Sequence, residues 1–261
     1  MSAFSNPVRN YMTTPVQTIL DTRSLANAST CLDELGISAL GVLDRDGALV
    51  GVISRTDLVR AGRMRPTGDQ RRHLLSLPNA SVREFMTPSV ESISPERPLQ
   101  EAAQRMVSRH VHRLFVSDTA RRPIGVLSTL ELMRSVVDAR LQRPLSDIMH
   151  IAVISVGARQ PVSYATDRLT GTERSGVVIA EDGWPVGVFT QADALAARDA
   201  PPDDRVDEWM NSRIICLPMG ISLARAAEQA VATRARRIVA VDASSLRGIV
   251  TAMDFAGAVA G

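Results

Sequence analysis

Gly248-Ile249-Val250-Thr251-Ala252-Met253-Asp254 is a phrase that the chain writes four times. Its siblings are Gly51-Val52-Ile53-Ser54-Arg55-Thr56-Asp57, Gly125-Val126-Leu127-Ser128-Thr129-Leu130-Glu131 and Gly187-Val188-Phe189-Thr190-Gln191-Ala192-Asp193. Each reads as glycine, two apolar residues, a hydroxyl residue, two variable positions and an acid. Met12, Met86, Met149 and Met210 precede the four acids by 45, 45, 44 and 44 residues. Four coincidences of that kind identify an internal repeat. The methionines lie 74, 63 and 61 residues apart, too far for a solenoid unit and suited to four small domains.

The apolar pair reads as the end of a buried strand, and the positions after the acid read as a helix. The hydroxyl residue stands where an N-cap belongs, with the acid three positions on, which is the capping-box pattern. The same geometry permits ligand binding. A helix N-terminus offers N–H groups to a phosphate, and a carboxylate there can accept both hydroxyls of a ribose. The pattern alone leaves both uses open.

Around each phrase the periodicity predicts a β-α-β-β-α order. In the first repeat a lead-in helix over Val8–Met12 is followed by a strand near Val16–Ile19. A helix over Ser24–Leu35 has Leu25, Ala28, Cys31, Leu32 and Leu35 on one face. Ala39–Leu43 and Leu49–Ile53 form a hairpin across Asp44-Arg45-Asp46-Gly47, and a helix starts at Arg55. The stretch Gly62–Ser81, with Pro66, Gly68 and Pro78 and several arginines, is expected to be an exposed, partly irregular linker. Repeat two places Leu99, Ala102, Ala103 and Met106 on its first helix. Repeat four does the same with Leu223, Ala226, Ala227 and Ala230. In repeat three Pro161, Thr170, Gly171, Thr172 and Glu173 predict a short or bent first helix. The last helix is expected to run to the end of the sequence.

Composition excludes several classes. Apolar residues make up 45% and charged residues 22% of the 261 positions, as in a soluble globular protein. There is no apolar run of membrane-spanning length and no secretory signal at Met1-Ser2-Ala3-Phe4, so a cytoplasmic protein without membrane insertion is expected. A net charge of +2 and 3% aromatic content argue against a nucleic-acid partner. Cys31 and Cys216 are expected to be buried free thiols. The chain has no lysine, so every basic residue other than histidine is an arginine, a planar fork suited to phosphate. His110 and His112 could share a strand face toward a metal, but no third ligand is in view, and no metal site is assigned. His73, His110, His112 and His150 stand in unlike contexts, so no catalytic residue is assigned and no enzyme is expected.

With Tyr11-Met12, Phe85-Met86, Ile148-Met149 and Trp209-Met210 as lead-ins, each unit resembles a cystathionine-β-synthase-type (CBS) domain. The resemblance implies an α/β fold of the α+β type. Four CBS domains would pack as two pseudo-twofold pairs: residues 7–140 (repeats 7–61 and 82–140, linker 62–81) and residues 141–261 (repeats 144–200 and 205–261). It implies adenosyl ligands (AMP, ADP, ATP or S-adenosylmethionine) in clefts between paired domains, with no cofactor required. The ribose-binding acids would be Asp57, Glu131, Asp193 and Asp254. The nearby hydroxyls Ser54, Ser128, Thr190 and Thr251 would approach the phosphate.

The residues before each middle strand are Ser38-Ala39, His112-Arg113, Ser175-Gly176 and Arg236-Arg237. His112-Arg113-Leu114 is similar to the pre-strand segment of the γ subunit of AMP-activated protein kinase, which implies phosphate contacts for His112, Arg113, Arg236 and Arg237. Glu131 is the one departure. Carrying an extra methylene, it is expected to cap its helix, while the three aspartates keep their carboxylates for ligand. The resemblance implies a nucleotide-sensing regulator, acting on a partner protein as a homodimer. The competing expectation is a structural or interaction module that binds no nucleotide.

Overall fold

The computed structural model describes residues 4–66, 73–88, 90–120, 122–170, 176–242 and 245–261. The element order repeats as the sequence predicts. Repeat one holds β1 (Thr18–Leu20), α1 (Leu25–Glu34), β2 (Ala39–Leu43), β3 (Leu49–Ser54) and α2 (Arg55–Ala61). A hairpin of β4 (Arg63–Pro66) and β5 (His73–Ser76) follows, then the lead-in α3 (Val82–Phe85) and β6 (Thr87–Pro88). Repeat two continues with β7 (Ser92–Ile93), α4 (Leu99–Arg109), β8 (Arg113–Ser117), β9 (Pro123–Ser128) and α5 (Thr129–Asp138). Repeat three has β10 (Ser155–Gly157), α6 (Val162–Thr170), β11 (Gly176–Glu181), β12 (Trp184–Thr190) and α7 (Gln191–Ala196). Repeat four has β13 (Ile215–Pro218), α8 (Leu223–Thr233), β14 (Arg237–Asp242), β15 (Ser245–Thr251) and α9 (Ala252–Ala260).

Each repeat builds one small sheet from a parallel pair bridged by a helix and an antiparallel hairpin. The orders are β1-β2-β3-β6, β7-β8-β9, β10-β11-β12 and β13-β14-β15. The hairpins are made by their turn residues. Asp44 accepts the N–H groups of Asp46 and Ala48 at 2.9 and 2.8 Å. Asp182 and Gly183 both take positive φ, as a two-residue hairpin turn requires.

Contacts divide the chain into two compact units. One is formed by Val8–Arg97 and Arg113–Leu127. Its core gathers Leu25, Ala28 and Leu32 of α1 with Leu40, Val42 and Ile53 of the sheet, and Gly41 of β2 lies against Phe115 of β8. The other unit is formed by Met1–Pro7, Pro98–His112 and Ser128–Gly261. In it α4 packs on α9, and α5 packs on both α8 and α9. Leu99, Ala102, Ala103, Met106, Ala226, Ala227, Ala230 and Ala256 are all buried there, and the small side chains let the helices approach closely. β12 of repeat three lies against β15 of repeat four.

The methionines explain the pairing. Each lead-in packs on the phrase of the neighbouring repeat. Met86 of repeat two sits on Gly51 of repeat one, and Met12 of repeat one on Gly125 of repeat two. Met210 and Met149 do the same for Gly187 and Gly248. The residue after each methionine adds antiparallel bonding to the strand behind that glycine: Thr87 to Val52, Thr13 to Val126, Asn211 to Val188 and His150 to Ile249. A Cβ at Gly51 would lie 2.5 Å from the Met86 sulfur, and one at Gly248 would lie 2.9 Å from the Met149 sulfur. Only glycine leaves that notch open. The exchange is reciprocal within repeats one and two, and again within repeats three and four.

Several expectations are corrected. The stretch after Gly62 is not simply irregular, because β4 and β5 pair in antiparallel register from Arg63↔Ser76 to Pro66↔His73; Gly68 and the residues around it lie outside the described residues. The lead-in helix is a single turn, Val8–Asn10, and the first strand begins two residues late. Cys31 and Cys216 are free but half-buried. The first helix of repeat three is regular and nine residues long, with Thr166 and Thr170 bonding back to the Val162 and Thr166 carbonyls; Gly171, Thr172 and Glu173 lie outside the described residues. Among the described residues no helix is long and apolar enough to cross a membrane.

Filling a notch tests the exchange. Gly51→Ala should cost about 1–3 kcal/mol by overpacking. Adding Met86→Ala should return part of that loss but not all, because the Thr87 carbonyl stays 3.0 Å from the new Cβ. Chemical denaturation of the two single variants and the double variant measures the coupling.

Candidate functional site

All four phrases fold to one local geometry. The hydroxyl residue is extended, with φ/ψ of −126/168° at Ser54, −114/173° at Ser128, −120/174° at Thr190 and −112/165° at Thr251. That conformation turns its own N–H toward the side chain three residues on. The Oδ2 of Asp57, Asp193 and Asp254 accepts it at 2.9, 2.8 and 2.7 Å, and Glu131 Oε2 accepts it at 2.8 Å. The same oxygen also accepts the hydroxyl proton of Ser54, Thr190, Thr251 or Ser128. The expected division of labour is therefore corrected: the aspartates cap as fully as Glu131 does. Aspartate reaches because the extended N-cap brings its N–H toward the carboxylate, so the extra methylene of glutamate is not needed.

Two lone pairs on one oxygen are thus committed in each repeat, and chemistry is left to the other oxygen. Its surroundings differ between the two pairs. Asp57 Oδ1 lies 3.5 Å from Arg60, and Glu131 Oε1 lies 3.6 Å from Arg134, both one turn along the same helix. Repeat four has Gly257 at that position and repeat three has Ala196. Asp254 Oδ1 instead meets the imidazole Nε2 of His150 at 2.8 Å. His150 follows Met149, so the lead-in exchange delivers it. A carboxylate accepts here, so Nε2 carries the hydrogen.

The residues before the middle strands reach across each pair. Arg113 of repeat two donates to Ser38 Oγ of repeat one at 3.3 Å. Arg237 of repeat four faces Asp193 of repeat three closely enough for their charges to couple. Burial pushes the Asp193 carboxyl up, against the hydrogen bonds from the Thr190 hydroxyl and N–H and the charge of Arg237. Burial likewise lowers Arg237, which Asp193 opposes. The carbonyls of Ser38, His112 and Arg236 accept the first N–H of their own phrase helices, from Arg55, Thr129 and Ala252. That bond fixes the pre-strand residues beside the phrase. Ser175 lies outside the described residues.

Sequence reasoning nominated the acids, the hydroxyls and the arginines, and missed His150, Arg60 and Arg134. The signals were present. A polar residue follows every lead-in methionine (Thr13, Thr87, His150 and Asn211), and arginine follows the acid by three in the first two phrases only. Among the described residues no group of three or more His, Cys, Asp or Glu is placed to hold a metal ion.

A family model described as CBS domain matches residues 8–63, 82–138 and 206–261. The fold is similar to that of protein MJ1225 from Methanocaldococcus jannaschii, described as a proposed archaeal homologue of g-AMPK. The TM-score is 0.76 at 18% identity, covering 97% of this chain and 99% of that one. Homoserine O-acetyltransferase of Methanohalobium evestigatum is 26% identical over 127 residues, 49% of this chain and 23% of that protein. Subunit gamma-3 of the 5′-AMP-activated protein kinase of Sus scrofa is 26% identical over 121 residues, 46% of this chain and 23% of that protein. The chain thus spans about a quarter of the length of these curated relatives.

The half-buried pair Asp193 and Arg237 has a titration signature. The side-chain carboxyl of Asp193, followed by carbon-detected NMR, should titrate above the ordinary 3.8. Arg237→Ala should move the midpoint further up, since it removes the charge that favours the anion. Ionising Asp193 is harder in the fold than in the unfolded chain, so its contribution to stability declines as pH rises through that midpoint. A midpoint below 3.8, or one indifferent to Arg237→Ala, contradicts the pairing.

Proposed function

This chain belongs to the CBS-domain family, and on that premise we propose that it is a regulatory protein that senses adenine nucleotides (AMP, ADP or ATP) and reports to a partner protein. The clefts at Asp57 and Asp193 are the proposed principal sites. In each, the carboxylate oxygen left over from the cap would accept the ribose hydroxyls, at Asp57 in competition with the Arg60 guanidinium 3.5 Å away. A guanidinium from the paired repeat takes the phosphate: Arg113 at the first cleft, and Arg237 with Arg236 at the second. His112, with Glu131 and Ser128, belongs to a further proposed position in repeat two. The hydroxyls of Ser54, Thr190 and Thr251 donate to their acids, and rotation about one bond would turn them to a phosphate.

The observation that carries this reading is the facing of Asp193 and Arg237 across the pair. A half-buried acid and cation facing each other suit a ligand with a diol at one end and an anion at the other. Members named for AMP-activated protein kinase among the similar proteins agree with that chemistry. The mechanism proposed is differential binding: nucleotide favours one arrangement of the domains over another and shifts the population toward it. Homodimerisation and a cytoplasmic location are part of the proposal. Catalysis is not, and no nucleotide turnover is expected.

One observation favours a second reading. One oxygen of each acid is fully used as a helix cap, and a module with only that job would look the same at that oxygen. A thermal-shift panel of AMP, ADP, ATP, S-adenosylmethionine and NAD separates the two. A ligand at 100 times its dissociation constant should add about 2.7 kcal/mol of stability. The gain from adenine nucleotide should shrink in Asp57→Asn and Asp193→Asn. A panel without any shift would favour the structural module, and a shift from S-adenosylmethionine alone would change the ligand class.

A further inference from the structure

The methionine-glycine exchange is the same in all four repeats, so it cannot decide which repeat takes which mate. A second contact between mates differs from repeat to repeat. The first two N–H groups of each lead-in turn bond to carbonyls of a three-residue loop that follows the mate's first strand. Val82 and Arg83 of repeat two bond to Arg23 and Asp21 of repeat one at 2.7 and 3.0 Å, and Val8 and Arg9 bond to Arg97 and Pro95 at 2.9 and 3.0 Å. Leu145 and Ser146 bond to Ile221 and Met219 in the same way, as do Val206 and Asp207 to Gln160 and Ala158. The backbone therefore fixes what the second lead-in residue meets: Arg83 lies at Asp21, Arg9 at Pro95, Ser146 at Met219 and Asp207 at Ala158.

The charges at this contact separate the two pairs. Arg83 Nη1 donates to Asp21 Oδ2 at 3.0 Å, and Arg9 forms an ion pair with Glu96. These two bridges differ in weight. Arg9 and Glu96 are both exposed, and an exposed pair contributes little. Asp21 is only 2% exposed, while the Arg83 side chain reaches solvent. The other oxygen of Asp21, Oδ1, is buried without a hydrogen-bond partner among the described residues. The bond from Arg83 thus offsets the desolvation of this carboxylate, and its loss would leave an uncompensated buried charge. The second pair is built differently. Its loops carry Ala158 and Met219 at the position of Asp21, and its lead-ins bring Asp207 and Ser146. Asp207 pairs with Arg205, the N-cap of its own turn.

We propose that Asp21 selects the mate of repeat one. A lead-in that brings arginine satisfies the buried carboxylate. The lead-in of repeat three would bring Ser146 and leave the charge unpaired, and that of repeat four would set Asp207 against it, acid on acid. Discrimination of this kind comes as much from what the wrong partner costs as from what the right one gains. The lead-in of repeat one also carries an arginine, so repeat one of a second copy would fit too. The covalent connection through residues 62–81 raises the effective concentration of repeat two and gives it the advantage. The partner that Asp21 recognises is an arginine-bearing lead-in turn, and the device keeps the two pairs from exchanging members as the chain folds. It makes no use of a nucleotide.

Refolding the full chain with a cross-link that reports the pairing tests it. Val52 and Thr87 are register partners across β3 and β6. Val52→Cys and Thr87→Cys, in a chain with Cys31→Ala and Cys216→Ala, link within one chain when repeat two has docked on repeat one. The linked fraction after refolding from guanidinium and oxidation, read by peptide mass spectrometry, is referred to this parent chain. Arg83→Asp should lower it roughly tenfold, because the buried acid then rejects its own mate. Asp21→Ala/Arg83→Asp reproduces the Ala158 and Asp207 combination that the second pair already holds, so it should regain about half of the lost link or more. A linked fraction that Arg83→Asp leaves intact, even at a lower denaturation midpoint, would show an ion pair that adds stability and selects nothing. If Arg83→Asp does not fold, the double variant decides. A folded and linked product supports the selection, and a double variant as impaired as Arg83→Asp overturns it.

Discussion

The fold depends on a methionine seated where a glycine has no side chain. A strand residue with a Cβ would hold the neighbouring lead-in away, and the antiparallel bonds behind it could not form. With glycine, the Met86 thioether lies against the backbone at Gly51, and the chain after it pairs with Val52. Because the contact is made twice in each pair, once in each direction, neither repeat of a pair is complete alone. A single repeat exposes both an empty notch and an unplaced methionine. Two repeats satisfy each other, which is how one sequence pattern written four times becomes two pairs.

That exchange also sets the chemistry. The residue after each methionine is carried to the strand that ends in the mate's hydroxyl and acid. At three places it is Thr or Asn. At the fourth it is His150, which then reaches Asp254. The pre-strand positions work across the pair as well, bringing Arg237 to Asp193 and Arg113 to Ser38. Near-identical caps therefore sit in unlike electrostatic surroundings. The cap oxygen is the same in all four repeats, and the identity of each site is decided by what meets the second oxygen.

Much of this was legible in the sequence. The glycine-apolar-hydroxyl-acid phrase placed a strand, a cap and a helix correctly four times, and the turn residues Asp44-Arg45-Asp46-Gly47 placed the hairpin of repeat one. The methionines were seen at a fixed distance from the acid of their own repeat, but they pack on the neighbouring repeat. The constant spacing records the length of the repeated unit and does not show which repeat the methionine packs on. The preference for glutamate as a cap failed for a related reason: propensity describes an average helix start, whereas here an extended N-cap held by the sheet brings the N–H within reach of aspartate. The hairpin after Gly62 was hidden by Pro66 and by a run of arginines that resembles an exposed linker. His150 stands after a lead-in methionine in the sequence, but its meeting with Asp254 is made only by tertiary packing.

The central claim is that an acid from one repeat and a cation from its mate grip opposite ends of one nucleotide. A crystal structure of the protein soaked with AMP tests it directly. The account predicts the ribose hydroxyls on Asp193 Oδ1, with Oδ2 still capping α7, and the phosphate on the Arg237 guanidinium. AMP bound with its phosphate away from Arg237, or an empty Asp193 cleft at a saturating concentration, would contradict it.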